Sequence, residues 1–307
     1  MTFMRSICLV LATLVALSAP AVAQQQPFDT PTAKSSTRSA AADAEGIPVP
    51  KKSRVASLAS SEKLEREATA QYAKLLDSAA SQKALAPADY PQRQRLQAIA
   101  SRLIPYTHRF SNRADDWRWE VNLIGSKQVN AFVMPGGKIV FYTGIIEKLN
   151  LTDDEIAMVM GHEMAHALLE HGRERAGQQK VAQAATIGAS VLSQVMGYGD
   201  LGGLLASQTS KFTLLKFSRG DESDADLVGM DIAARAGYDP RAGISLWQKM
   251  AEASKGEPPQ FLSTHPSHAT RIDSMRGALP KVIPLYERVQ AARATDSTAS
   301  DTSQPSQ

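Results

Sequence analysis

Two histidines and a glutamate in one short run are the residues best suited to chemistry. The run is His162-Glu163-Met164-Ala165-His166, an H-E-x-x-H pattern. On an α-helix, positions i and i+4 lie on one face, so both imidazoles can point at one metal ion. Glu163 then lies on the adjoining edge, where it can take a proton from a water beside the metal. The chemistry this pattern suits is metal-assisted hydrolysis.

A second set follows downstream in Glu222-Ser223-Asp224-Ala225-Asp226, where Glu222 and Asp226 share a helical face. Hydrolytic zinc sites often combine two histidines and one glutamate and keep one position for water. Glu222 is therefore the expected third ligand. Asp226 is placed to hold the far ring nitrogen of a ligand histidine, a support such sites need. Asp221 and Asp224 read as solvated acids. His265, in FLSTHPSH, precedes a proline and so is expected to be extended on a loop. Three readings stay open for it: a donor to the developing oxyanion, a metal ligand in a resting state, or a surface histidine. His268 has a weaker claim. His108 and His171 read as structural.

The elements that must position these groups can be read from the same pattern. Residues 151–172 (LTDDEIAMVMGHEMAHALLEHG) read as one helix. Thr152 and Glu155 make a capping box. Asp153 and Asp154 put negative charge in the first turn, where the helix dipole favours it. Ile156, Val159, Met160, Leu168 and Leu169 supply buried positions, and His171 with Gly172 reads as the stop. Residues 211–236 read as another long helix, closed by Gly237 and Asp239-Pro240.

Upstream, helices are expected over 61–85, broken by Pro87, and over 92–104, ended by Pro105. Strands are expected over 117–124, 129–134 and 138–143, the last two joined by Pro135-Gly136-Gly137. A small antiparallel sheet beside the metal helix can present an extended peptide by adding it as one more strand. Residues 181–196 are apolar with Gln and Ser interspersed, and precede glycine-rich 197–203. A helix over the site with a glycine loop is expected there, and a membrane-touching hairpin is the alternative. A short helix carrying Arg271, Ile272 and Met275 follows His268.

Composition bounds the rest. The chain is 43% hydrophobic and 21% charged, an ordinary globular balance. Its net charge is only +3, with no basic run interleaved with aromatics, so nucleic acid is not an expected partner. Arg5, the apolar run 7–17 and Ala21-Val22-Ala23 read as a signal peptide over 1–23, cleaved before Gln24. That predicts a periplasmic protein, with membrane association as the alternative. Cys8, the single cysteine, lies inside the apolar run, so the processed chain is expected to carry no thiol.

In order along the chain, VNAFVMPGGKIVFYTGII, LTDDEIAMVMGHEMAHALLEH, FSRGDESDAD and FLSTHPSHATRI resemble the HtpX and CAAX-prenyl-protease superfamily of zinc metallopeptidases. The likeness is strongest to its soluble periplasmic BepA-like and LoiP-like branch, and spans roughly 64–279. It implies an α+β, mainly helical, zincin-like domain with a small antiparallel sheet beside the H-E-x-x-H helix. It implies one Zn2+ per chain held by His162, His166 and Glu222, with Glu163 as general acid and base and Asp226 supporting a ligand. It places His265 by the active site and Asn130 at the substrate edge.

The implied function is zinc-dependent metalloendopeptidase action on polypeptides, with misfolded envelope proteins as substrates. The alternative is a latent or autoinhibited protease acting mainly as a chaperone-like binding module. The organisation expected is a signal peptide over 1–23, a disordered linker over 24–56, the metallopeptidase domain over 57–290 and a disordered tail over 291–307. The chain departs from membrane-spanning members in having no apolar span after the leader. It departs from lipoprotein members in the placement of Cys8. Peripheral membrane contact through 181–205 remains open.

Overall fold

The computed structural model describes residues 45–195, 217–255, 259–266 and 269–301. The expected signal peptide, Cys8, the first part of the expected linker, the glycine-rich 197–203, the 211–216 start of the expected second helix and His268 lie outside them.

Helix α1 (Ser61–Ser81) is capped by Ser60, whose side chain accepts from Lys63 N at 3.1 Å. Helix α2 (Pro91–Leu103) opens on a proline, where the missing N–H leaves no bond unmade. Strands β1 (Glu120–Ile124), β2 (Ala131–Met134) and β3 (Lys138–Tyr142) follow. Then come α3 (Thr143–Lys148), the motif helix α4 (Asp153–Leu168), α5 (His171–Val195), α6 (Arg219–Arg235), α7 (Ala242–Ala253), α8 (Gln260–Thr264) and α9 (Ala269–Asp301). The mainly helical α+β class expected from the sequence is what the structure has. No helix of the described residues is long and apolar enough to cross a membrane.

The sheet is mixed, not antiparallel as expected. Its order is β1-β3-β2, with β1 parallel to β3 and β2 antiparallel to it. The contiguous apolar run Ile139-Val140-Phe141 is fully buried and takes the central place, as a strand covered on both faces must. The chain therefore crosses from β1 to the far edge, runs down β2 and returns between them. One face packs on α1 through Tyr72, Ile124 and Val140. The other joins the main core with α2 and α4.

α4 begins as expected. Glu155 N donates to Thr152 Oγ1 at 3.3 Å and Thr152 N donates to Glu155 Oε2 at 2.9 Å, a complete capping box. It is buried without a break from Glu155 to His166. Its end differs from the expectation. The helix stops at Leu168, Glu170 takes φ 63°, and α5 restarts at His171. His171 thus begins a helix instead of ending one.

α6 packs against α4 more extensively than any other pair of elements. They touch backbone to backbone at two glycines. A Cβ on Gly161 would lie 2.9 Å from the Gly229 carbonyl oxygen, and a Cβ on Gly229 would lie 2.7 Å from His162 N. α6 starts at Arg219, set by a Ser218–Asp221 capping box.

Two terminal segments fall partly within the described residues. Within the expected linker 24–56, Ile47 and Ala56 are buried, and the Ile47 N–H donates to the buried Asp231 Oδ2 at 2.7 Å. The expected tail over 291–307 is helical as far as Asp301, as the continuation of a 33-residue α9. Arg271, Met275, Ala278, Val282 and Leu285 form its buried stripe at helical spacing, while Pro280 and Pro284 lie on the exposed side.

Candidate metal centre

α4 presents His162 and His166 toward α6, which presents Glu222, and the residue just after α8 brings His265 between them. All four are buried, and one ligand atom from each lies within 4.8 Å of all the others. His162 Nε2 is 3.1 Å from His166 Nε2 and 3.2 Å from His265 Nδ1. Glu222 Oε1 is 3.0 Å from His265 Nδ1 and 3.5 Å from His166 Nε2, and Glu222 Oε2 is 3.6 Å from His162 Nε2.

These separations fit a zinc ion. Zinc–nitrogen bonds of about 2.0–2.1 Å in a tetrahedron set ligand atoms about 3.3 Å apart. Three imidazole nitrogens facing one another cannot all be satisfied by protons between them, because each pair shares at most one. A cation among their lone pairs removes that conflict. Two or three imidazoles with one carboxylate are also the donor set zinc takes when no thiolate is present.

The far ring nitrogens decide which lone pairs face the cluster. Asp226 Oδ1 accepts from His162 Nδ1 at 3.0 Å, which leaves His162 Nε2 as the inward lone pair. Asp226 is wholly buried. Burial alone would raise its carboxyl, but the Arg271 guanidinium outweighs that and holds it below the usual range. Arg271 binds it at 2.6 Å through Nε and again at 2.6 Å through Nη2. Its Nη1 sits 2.6 Å from Glu222 Oε2, and its guanidinium lies 3.6 Å from the centre of the Trp247 ring. Trp247 Nε1 also donates to Asp226 Oδ1, at 3.3 Å.

His166 is held from the other side. Its Nδ1 lies 2.9 Å from His171 Nδ1, and His171 Nε2 is 3.8 Å from Asp221 Oδ1. Burial lowers the His171 pKa to about 4, so its ring is neutral and can accept the His166 Nδ1–H. The Phe217 ring stacks on His166 at 4.0 Å.

Glu163 Oε1 is buried and makes no hydrogen bond among the described residues. Its nearest charged neighbour is His265 Nε2, at 3.4 Å. Burial pushes its carboxyl up, against the opposing pull of His265 and His162. That is the environment of a carboxylate ready to accept a proton. For His265, burial opposes a charge, but Glu163 and Glu222 prevail and its pKa is raised.

Of the residues expected from the sequence, His162, His166, Glu222 and His265 come together, with Glu163 and Asp226 in contact with them. Asn130 stands apart. Its side chain accepts from Ala131 N at 3.0 Å at the start of β2 and makes no hydrogen bond to the cluster. The loop preceding Pro266 is non-helical at His265 (φ −118°, ψ 79°), and it turns that ring inward, which excludes the surface reading.

Three neighbours were not anticipated. His171, structural by its sequence setting, touches His166. Trp247 carried no motif. In the sequence Arg271 stands only as part of a short helix. Its spacing with Met275 on one buried face was the available sign, since a buried guanidinium requires a carboxylate.

A model of Peptidase family M48 matches residues 91–279. The mitochondrial metalloendopeptidase OMA1 of Bos taurus is 33% identical over 181 residues, covering 55% of this chain and 34% of that protein. The Saccharomyces cerevisiae mitochondrial metalloendopeptidase OMA1 is 29% identical over 220 residues, covering 68% of this chain and 62% of its own. The beta-barrel assembly-enhancing protease of Escherichia coli is 27% identical over 172 residues, covering 53% and 35%. The chain spans about a third of the length of several such relatives, 34% of the bovine and 37% of the Arabidopsis thaliana protein. With most of its described domain matched by that model and a zinc-compatible cluster at its centre, the chain belongs to peptidase family M48, a family of zinc-dependent metallopeptidases.

Proposed function

We propose that this chain is a zinc-dependent metalloendopeptidase. The observation that carries the reading is the buried convergence of His162, His166 and Glu222 beside an unbonded Glu163 oxygen. Zinc held there supplies a Lewis acid that polarises the scissile carbonyl and acidifies a water. An extended polypeptide pairs with the outer edge of β2. Glu163 takes the proton of the attacking water and passes it to the leaving amine. Asp226 and His171 keep the two ligand imidazoles in the tautomer that turns Nε2 inward. His265, donating from Nε2, steadies the oxyanion once its ring turns toward the substrate.

A latent resting state is favoured by a specific contact. His265 Nδ1 stands among the ligand atoms, 3.2 Å from His162 Nε2 and 3.0 Å from Glu222 Oε1. From that position it would supply a fourth ligand to zinc, and the protein would bind polypeptide without cutting it until His265 leaves.

The setting we propose is the bacterial periplasm, with misfolded envelope proteins as substrates. Support comes from the signal-peptide pattern over 1–23 and from the likeness to the beta-barrel assembly-enhancing protease. The mitochondrial relatives carry the same domain, so the domain itself does not dictate a compartment. The test is zinc content and casein cleavage for wild type and Glu163→Gln. One zinc per chain in both, with cleavage only in wild type, is expected. Equal cleavage by both proteins removes the reading.

A further inference from the structure

β2 is an edge strand, and its backbone faces alternate. Asn130 O accepts from Tyr142 N at 3.1 Å, which makes these two a hydrogen-bonded pair. In the register Ala131↔Phe141 to Met134↔Lys138, Phe132 and Met134 then bond to β3. Ala131 and Val133 turn their N–H and C=O outward, with the Ala131 N–H taken by the Asn130 side chain. Val129 faces the same way, and its carbonyl accepts from Phe261 N at 3.0 Å. The segment preceding His265 thus closes the edge at Val129, and the edge opens toward Val133.

Beside that open end lies a cavity of about 90 Å3, between β2, α1 and the end of α4. It has room for a few waters or for one side chain. His166 lies on its wall, and Leu64, Trp117, Val133, Pro135, Ala167 and Phe217 give it an apolar lining. Four charged residues also line it, and each has a partner. Arg113 binds Glu65 at 2.8 Å, Arg173 binds Glu170 at 2.6 Å, and Glu170 also binds Lys52 at 2.8 Å. Trp117 Nε1 donates to the same Glu65 oxygen at 3.1 Å. A charged side chain entering here loses its water and finds no unmatched partner among these residues. An apolar one gains the free energy of leaving water.

We infer that this cavity is the specificity subsite: it takes one large apolar side chain of a polypeptide laid along β2, close to the scissile bond. The inference rests on the peptidase reading. Leu64 comes from α1, outside both the metal cluster and the sheet, and is half-buried in the cavity wall. It therefore sets the size of the subsite without touching the reacting groups.

The test uses extended labelled peptides that differ at one position. Their affinity for zinc-loaded Glu163→Gln protein is read by fluorescence anisotropy, and their cleavage by wild type is read in parallel. At one position Leu or Phe should bind about tenfold or more tighter than Gly, Asp or Lys. Leu64→Trp, in the Glu163→Gln background and folded by circular dichroism, should move that preference to Ala or Gly by about tenfold. Leu64→Ala should move it toward Trp. Equal affinity for apolar and charged peptides at every position overturns the subsite, as does a profile that ignores both Leu64 substitutions. Selective binding with no cleavage by wild type keeps the subsite and removes the peptidase reading. Cleavage without selectivity does the reverse.

Discussion

Arg271 grips Asp226 with both arms of its guanidinium, at 2.6 Å and 2.6 Å, inside a fully buried site. Asp226 in turn receives the His162 Nδ1–H at 3.0 Å, so the last helix of the domain fixes the orientation of a ring on α4. Removing Arg271 leaves Asp226 and Glu222 buried without their cation. Arg271→Met should cost about 3–5 kcal/mol of stability. Asp226→Asn should instead fold and lose about 10–100-fold in zinc affinity. Chemical denaturation and chelator competition read the two effects separately, and an Asp226→Asn protein with unaltered zinc affinity would refute the ring-orienting role.

Glu163 is expected to matter to turnover and not to metal. Glu163→Gln should retain one zinc, and its cleavage rate should fall by at least about a hundredfold. Elemental analysis alongside a quenched-peptide assay decides this. Loss of zinc in that variant would make Glu163 a structural support of the metal cluster.

The two roles of His265 pull activity in opposite directions. If it holds the resting state, His265→Ala should cleave faster at unchanged zinc content. If its main role is donation to the oxyanion, the same change should slow cleavage by about a hundredfold or more. Steady-state rates with zinc measured on the same sample separate them. An unchanged rate would take His265 out of the mechanism.

Acid sensitivity should trace partly to His171. Burial holds its pKa at about 4, against an ordinary 6.5. Between those values the unfolded chain takes a proton that the folded chain refuses. The stability contribution is thus complete above pH 6.5 and is lost as the pH falls toward 4. At about 1.4 kcal/mol per pH unit the loss approaches about 3 kcal/mol. Denaturation midpoints of metal-stripped protein across this range should fall less steeply for His171→Gln than for wild type. Parallel curves would contradict the assignment.

What could be read from the sequence was what is local. The Thr152–Glu155 box, the i, i+4 histidines and the Glu222–Asp226 spacing are all decided within one or two turns, and the structure has them as read. The neighbours of β3 are decided by which strand best fills a two-sided core, a non-local choice that alternation does not encode. The break after Leu168 rests on a glutamate at positive φ, where no residue preference announces it. The length of α9 was hidden by Pro280 and Pro284, which are tolerated because they lie on its exposed side. Arg271 showed only its spacing with Met275, because its carboxylate partners, Asp226 and Glu222, lie more than 40 positions away in the chain.

The glycine contact between α4 and α6 also acts as a gauge. Ligand side chains have fixed reach, so the aperture between His162, His166 and Glu222 follows the spacing of the two helix axes. Gly161 and Gly229 hold those axes at backbone contact, and a methyl group at either meets main-chain atoms at 2.9 Å or less. Such a methyl would press the helices apart, and on Gly229 it would meet the backbone of His162 itself, so Gly229→Ala should weaken zinc binding in chelator competition. The aperture of the cluster is thereby set in part at two positions that carry no side chain.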